Sequence, residues 1–154
     1  MSTIEVTNIN DISGNASLVT DNGGLKTDKL TGKTTAGSIS VVGEGNSTTT
    51  NLQQGLIKAW FQFNSDASLQ DSFNTASCTD NGVGSFTQNH TNNMANSDYA
   101  FVAMAGHDNN TLPTATITVM HKAITSGTRV RIHNASGTVV DESQCNGMSS
   151  GDLA

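Results

Sequence analysis

Charge is scarce in this chain. Only 13% of its 154 residues are Asp, Glu, Lys or Arg, and the balance is acidic, with a net charge of −6. The seven basic residues are scattered, and only Arg129 and Arg131 stand close together. Nucleic acid and anionic membrane surfaces attract clustered Lys and Arg, so neither is an expected partner. No segment approaches the ~20 consecutive apolar residues of a membrane span. The stretch "MSTIEVTNIND" lacks the basic region and apolar run of a signal peptide. Synthesis in a host cytoplasm is expected, with release by a route that needs no leader, such as assembly into a particle freed by lysis.

Cysteine is limited to Cys78 and Cys145, far apart in sequence. Two thiols make neither a disulfide scaffold nor a zinc site, and both are read as reduced, buried, small apolar residues. Aromatics amount to only 5%. Leu, Ile, Val and Phe together number 31, about a fifth of the chain. That share borders on the composition of disordered proteins, but the accompanying sign, a high net charge, is weak here. A small chain with so little apolar material buries too little surface alone, and association of copies is one remedy. The totals point to a β-rich, polar protein that works as an obligate oligomer.

What is present is a series of short β-prone pieces divided by turn residues. Residues 1–35 hold "TIEV", "ASLVT" and "GGLKTDKL", none able to close a core, and read as an extended arm. Residues 36–55 read as a connector, with a strand in "SISVV" and a Thr/Asn cluster before Leu52 that can cap one helical turn, limited by Gly55. Residues 56–154 read as a β-domain. "LIKAWFQF" places Ile57, Ala59, Phe61 and Phe63 on one face and Leu56, Lys58, Trp60 and Gln62 on the other. Asp80-Asn81-Gly82 is a hairpin signal, with positive φ expected at Asn81, Gly82 or both. "DYAFVAMA", "TATITVMH", "TRVRIHN" and "TVVDES" complete the strand series. Signals every 10–15 residues indicate an antiparallel sandwich or meander, so the fold class is all-β.

The chain carries no phosphate loop, dinucleotide fingerprint or Gly-x-Ser-x-Gly elbow. An enzyme would have to rest on His90, His107, His121 and His133, with Asp108 orienting His107. These histidines are read instead as loop, strand-end or subunit-boundary residues, and no catalytic, cofactor or metal residue is assigned. Trp60 and Tyr99 with the Asn/Asp loops are the residues a sugar site would use. Packing of Trp60 beneath a subunit neighbour is the preferred account.

The ordered series from Leu30 to Asn64, "LTGKTTAGSISVVGEGNSTTTNLQQGLIKAWFQFN", resembles a family of tailed-phage virion proteins from marine and cyanobacterial phages. The matching features are the Thr34–Ile39 strand, Gly43–Gly45, the Thr-rich turn and "LQQGL" over Thr48–Leu56, and Lys58–Trp60. The likeness continues through "DSFN", "TDNGVGSFT" and "MANSDYA", reaching Ala105. Two departures are Ala95, where the family usually has Pro, and "FTQNH", more polar than the usual strand. The resemblance implies a non-enzymatic virion protein, often trimeric, placed as a short tail fibre or as a fibre or knob on the capsid.

On this reading the arm anchors to other virion proteins and the β-domain faces outward. Ile57, Trp60, Phe61 and Phe63 are the candidate trimer-packing residues, together with the "SISVV" strand. Loops around Asn92–Asp98 and His107–Thr111, with Asp98, His107 and Asp108 foremost, are the candidate contact surface for a host glycan. The alternative function is a carbohydrate-binding β-sandwich module that mediates host-surface adsorption.

Overall fold

The computed structural model describes residues 28–32, 39–43, 45, 47–106 and 117–154, the side chains of 117–121 aside. The chain divides into two compact units, Met1–Gly32 and Lys33–Ala154. The second carries all the elements discussed below, and of the arm read over residues 1–35, residues 1–27 and 33–35 lie outside the described residues.

The unit opens with a small antiparallel hairpin of β1 (Ser40–Val42) and β2 (Thr49–Asn51). One helical turn, α1 (Leu52–Gly55), follows directly. Asn51 is its N-cap, and its side-chain oxygen accepts from the amides of Gln53 and Gln54 at 2.8 and 3.2 Å. The capped turn expected from the Thr/Asn cluster is therefore present, and it ends where Gly55 gives way to extended backbone at Leu56.

Eight strands then form two antiparallel sheets. The first has the order β4-β3-β10-β7, built from β3 (Ile57–Asn64), β4 (Leu69–Phe73), β7 (Ala100–Gly106) and β10 (Gln144–Ser150). The second has the order β5-β6-β9-β8, built from β5 (Thr75–Asp80), β6 (Ser85–His90), β8 (Ile117–Ile124) and β9 (Gly127–His133). The chain passes from the first sheet to the second through the single residue Asn74, whose φ of 53° is left-handed. Asn tolerates that region better than other residues with a side chain.

The sheets pack face to face over Phe61, Phe63 and Cys145 from the first and Phe86, Val130 and Ile132 from the second. Phe63 lies 4.9 Å from Phe61 and 4.9 Å from Phe86, ring centre to ring centre. Burial of each large side chain is worth about 1.5–3 kcal/mol, so this cluster is the main source of cohesion. The sandwich expected from strand spacing is thus the observed architecture.

Two local readings need correction. "TVVDES" is not a strand, since Val139 makes only an isolated bridge to His133. The last strand is β10, Gln144–Ser150, which sequence reading left unassigned. It is a central strand, pairing with β3 on one side and β7 on the other. The hairpin connection expected at Asp80-Asn81-Gly82 is present, and it is longer than two residues, running from Asn81 to Gly84. Gly82 and Gly84 take positive φ, at 102° and 57°, and Asn81 does not. Gly84 is fixed further by Asp141, whose carboxylate accepts from its amide at 2.5 Å. A Cβ at Gly84 would stand 2.6 Å from Val139 Cγ1 and from the Val140 carbonyl oxygen.

Gly147 explains how so polar a strand sits at the centre of a sheet. A Cβ there would lie 2.6 Å from Phe61 Cζ and 3.0 Å from Phe101 Cζ, so the two rings occupy the space a side chain would need. Gly147→Ala is expected to lower stability by about 1–3 kcal/mol in urea denaturation, because both rings are hemmed in by the core. An unchanged midpoint would show that the rings have room to move.

Candidate functional site on the outer face of one sheet

The two outer faces of the sandwich differ in chemistry. On the second sheet, Ser77, Thr79, Thr87 and Asn89 form a hydrogen-bonded polar surface. Asn89 donates to Ser77 and Thr79 at 3.0 and 2.9 Å. Arg129 alternates with the buried Thr128 and Val130 on β9 and donates to Ser85 at 3.1 Å.

The first sheet turns an apolar face outward. Strand register aligns Phe73, Trp60, Met148 and Val102 in one row across all four strands. Phe73 is 52% exposed, Val102 61% and Met148 46%, while Trp60 is half-buried. The next row is Asp71, Gln62, Asn146 and Met104, and Met104 is the most exposed large apolar side chain among the described residues, at 75%. A shallow trough of about 390 Å³ runs along β10 between Trp60 and Gln62 on one bank and Val102 and Met104 on the other. The four strands contain two charged residues, Lys58 and Asp71. Lys58 is buried, with its ammonium turned onto the carbonyls of Gln53 and Leu56, so Asp71 is the one exposed charge. Contiguous exposed apolar surface of this kind marks an interaction site, whereas scattered single residues do not.

The residues named from sequence separate into groups. Phe61 and Phe63 are each 1% exposed and belong to the chain's own core. Their surface is unavailable to a neighbouring subunit, which corrects the expectation that the face carrying them packs between copies. Trp60 lies on the outward row, and Ile57 is 41% exposed at the β10 end where the register shifts. In β1, Val41 and Val42 are exposed. Asp98 is exposed and follows a strapped segment rather than an open loop. Met94 within that segment is buried, its amide donates to the Thr125 carbonyl at 2.8 Å, and the Ala95 amide donates to the Asp152 carbonyl at 2.8 Å. Asn74 holds the start of the strap, donating to the Asn92 carbonyl at 3.1 Å and accepting from the Asn92 amide at 2.7 Å. His107 and Asp108 lie outside the described residues.

Tyr99 is not a sugar platform. It is 6% exposed, and its hydroxyl meets the Gly127 carbonyl at 2.7 Å and Thr128 Oγ1 at 2.6 Å. Its ring lies 5.9 Å from that of His90, whose Nδ1 faces the Thr125 carbonyl at 3.2 Å. Gln88 donates to Thr75 at 2.7 Å, and Thr75 donates to the Trp60 carbonyl at 3.1 Å. These contacts make a polar end to the core that ties the two sheets together. His133 Nδ1 meets the Gly137 carbonyl at 3.2 Å in a turn, and His121 stands at a register shift in β8. Among the described residues there is no group of three or more His, Cys, Asp or Glu able to hold a metal ion. Both cysteines are free, and burial pushes each thiol up to about 12, so neither is a thiolate at neutral pH.

The outward apolar face had a sequence signal that was not used. In "AFVAMA" and in "AWF", apolar residues occupy both strand parities, which is the pattern of strands covered on both sides.

His90 supplies a pH test of the polar end. Burial lowers its pKa below 6.5, against a smaller opposing effect of the bond to Thr125. The unfolded chain therefore takes up this proton first as pH falls. The contribution is complete above ~6.5 and declines below it, toward the lowered folded value. The urea midpoint is expected to drop between about pH 7 and pH 5.5, and His90→Gln is expected to remove part of that drop. An identical slope in the variant would contradict this assignment. Comparison of the chain with protein-family models, with curated proteins and with solved structures finds no match.

Proposed function

We propose that this chain is a non-enzymatic structural protein of a phage particle, assembled as a homotrimer and displayed as a short tail-fibre-like or capsid-surface element. The sandwich is the displayed body, and the N-terminal arm anchors it to other virion proteins. The observation that carries the reading is the contrast between the two outer faces. One is a hydrogen-bonded polar surface suited to solvent, and the other is an apolar, almost charge-free surface suited to association.

The ordered resemblance from Leu30 to Ala105 supports placement in a virion. The division of the chain at Gly32/Lys33 supports separate roles for anchor and body. The carbohydrate-binding alternative retains Trp60 with the Gln62 and Asn146 amides beside it, but it loses Tyr99 to the core.

Antibody labelling of intact particles tests the placement, paired with deletion of residues 1–32. The full chain is expected on particles at regular sites. The truncated chain is expected to fold and to be missing from them. Normal incorporation of the truncated chain would overturn the anchoring role, and unlabelled particles would overturn the virion assignment.

A further inference from the structure

We propose that the outer face of the β4-β3-β10-β7 sheet is the contact between copies of this chain, with three such faces turned toward a common axis as the walls of a prism. The inference rests on the assembled reading above and names the surface that makes the assembly.

Charge favours a second copy as the occupant. The whole chain carries −6, so most pairs of surfaces on it repel one another. The strands of this sheet bear one exposed charge, Asp71 on the edge strand β4, so copies meet here with little like-charge opposition. A partner recognised through ion pairs would find almost nothing to pair with. Interface cores share this depletion of charge and enrichment in Trp, Phe and Met, the residues supplied by Trp60, Phe73, Met104 and Met148.

Dimensions agree with three walls. Four strands spaced about 4.8 Å apart make a wall roughly 19 Å wide. A triangle with sides of that width has its centre about 5.5 Å from each wall, close to half the ~10 Å at which sheets pack face to face. The strands hold five to eight residues, which gives a mean height of about 23 Å, so each wall covers about 440 Å² in plan. That plan area is about half of the ~800 Å² per partner of a standard interface, before side-chain relief is added. Relief is also complementary, because Met104 projects beside a trough of about 390 Å³ that can receive a side chain from a neighbour. Contact of a knob on one copy with a trough on the next is heterologous, and rotation about an axis closes it.

Trp60 is the only tryptophan in the chain and lies on the proposed wall, so its fluorescence reports on the contact. The experiment takes the full chain and measures mass by light scattering together with acrylamide quenching of Trp60. The same is done for Val102→Lys and Met104→Glu, with circular dichroism to verify the fold. Both side chains point away from the core, so the sandwich is expected to persist in each variant. The wild type is expected as three chains with Trp60 shielded. The variants are expected as single chains, with quenching increased severalfold.

A wild type of one or two chains would overturn the proposal. So would three chains with Trp60 freely quenched, or a variant that remains three chains. If a variant fails to fold, wild-type mass and quenching still decide the matter. Three chains with Trp60 shielded, alongside unlabelled particles, would uphold this surface and defeat the virion reading. Labelled particles with Trp60 freely quenched would do the reverse.

Discussion

The absence of a side chain at Gly147 is the constraint on which the rest of the sandwich depends. Phe61 and Phe101 close over that position from the strands on either side, and the rings fill what a Cβ would occupy. Phe61 then stacks on Phe63, and Phe63 meets Phe86 across the gap between the sheets. A strand with almost no bulk of its own thus lets its neighbours supply the core. This economy of composition shapes the interior. On the opposite side a trough runs along β10, lined by Asn146 and Met148 of that strand and by residues of β3 and β7 on either side.

That economy bears on function because apolar residues are few. Much of the aromatic content is committed to the interior, yet Trp60, Phe73, Met104 and Met148 are placed outward on a single sheet. The opposite face shows what the chain does with a surface meant for water: hydroxyls and amides in mutual hydrogen bonds, with guanidinium groups among them. The two outer faces thus present opposite chemistries, one of mutually bonded polar groups and one of exposed apolar side chains. Buried polar contacts at the far end of the core, from Gln88 through Thr75 to the Trp60 carbonyl, hold that outward row in register. The Asn74 side chain also reaches the Lys58 carbonyl on β3, so corner, strap and outer sheet are one connected frame.

Much of the fold was legible in the sequence, for identifiable reasons. Strands β3 and β9 carry period-two apolar residues, and each was found. The capped turn at Asn51 was legible because its chemistry is local. "QCNGMSS" was not legible as a strand, since its place depends on rings that belong to other strands. The extra length of the turn at Gly82 was hidden too, because Gly84 answers to Asp141 and Val139, more than fifty residues away in sequence. The partition of Ile57, Trp60, Phe61 and Phe63 between core and surface required the second sheet, which alternation alone cannot locate. The outward apolar face is present in the pattern of "AFVAMA", where both parities are apolar.

The central claim is that Gln144–Ser150, despite its composition, is the inner strand on which the first sheet is built. Residue-resolved amide hydrogen exchange tests it most directly. Amides of β10 bonded to β3 and β7 are expected among the slowest in the chain, comparable with those of β9, because they open only with the sandwich as a whole. Exchange of Gln144–Ser150 as fast as that of the exposed turn residue Val83 would contradict the account.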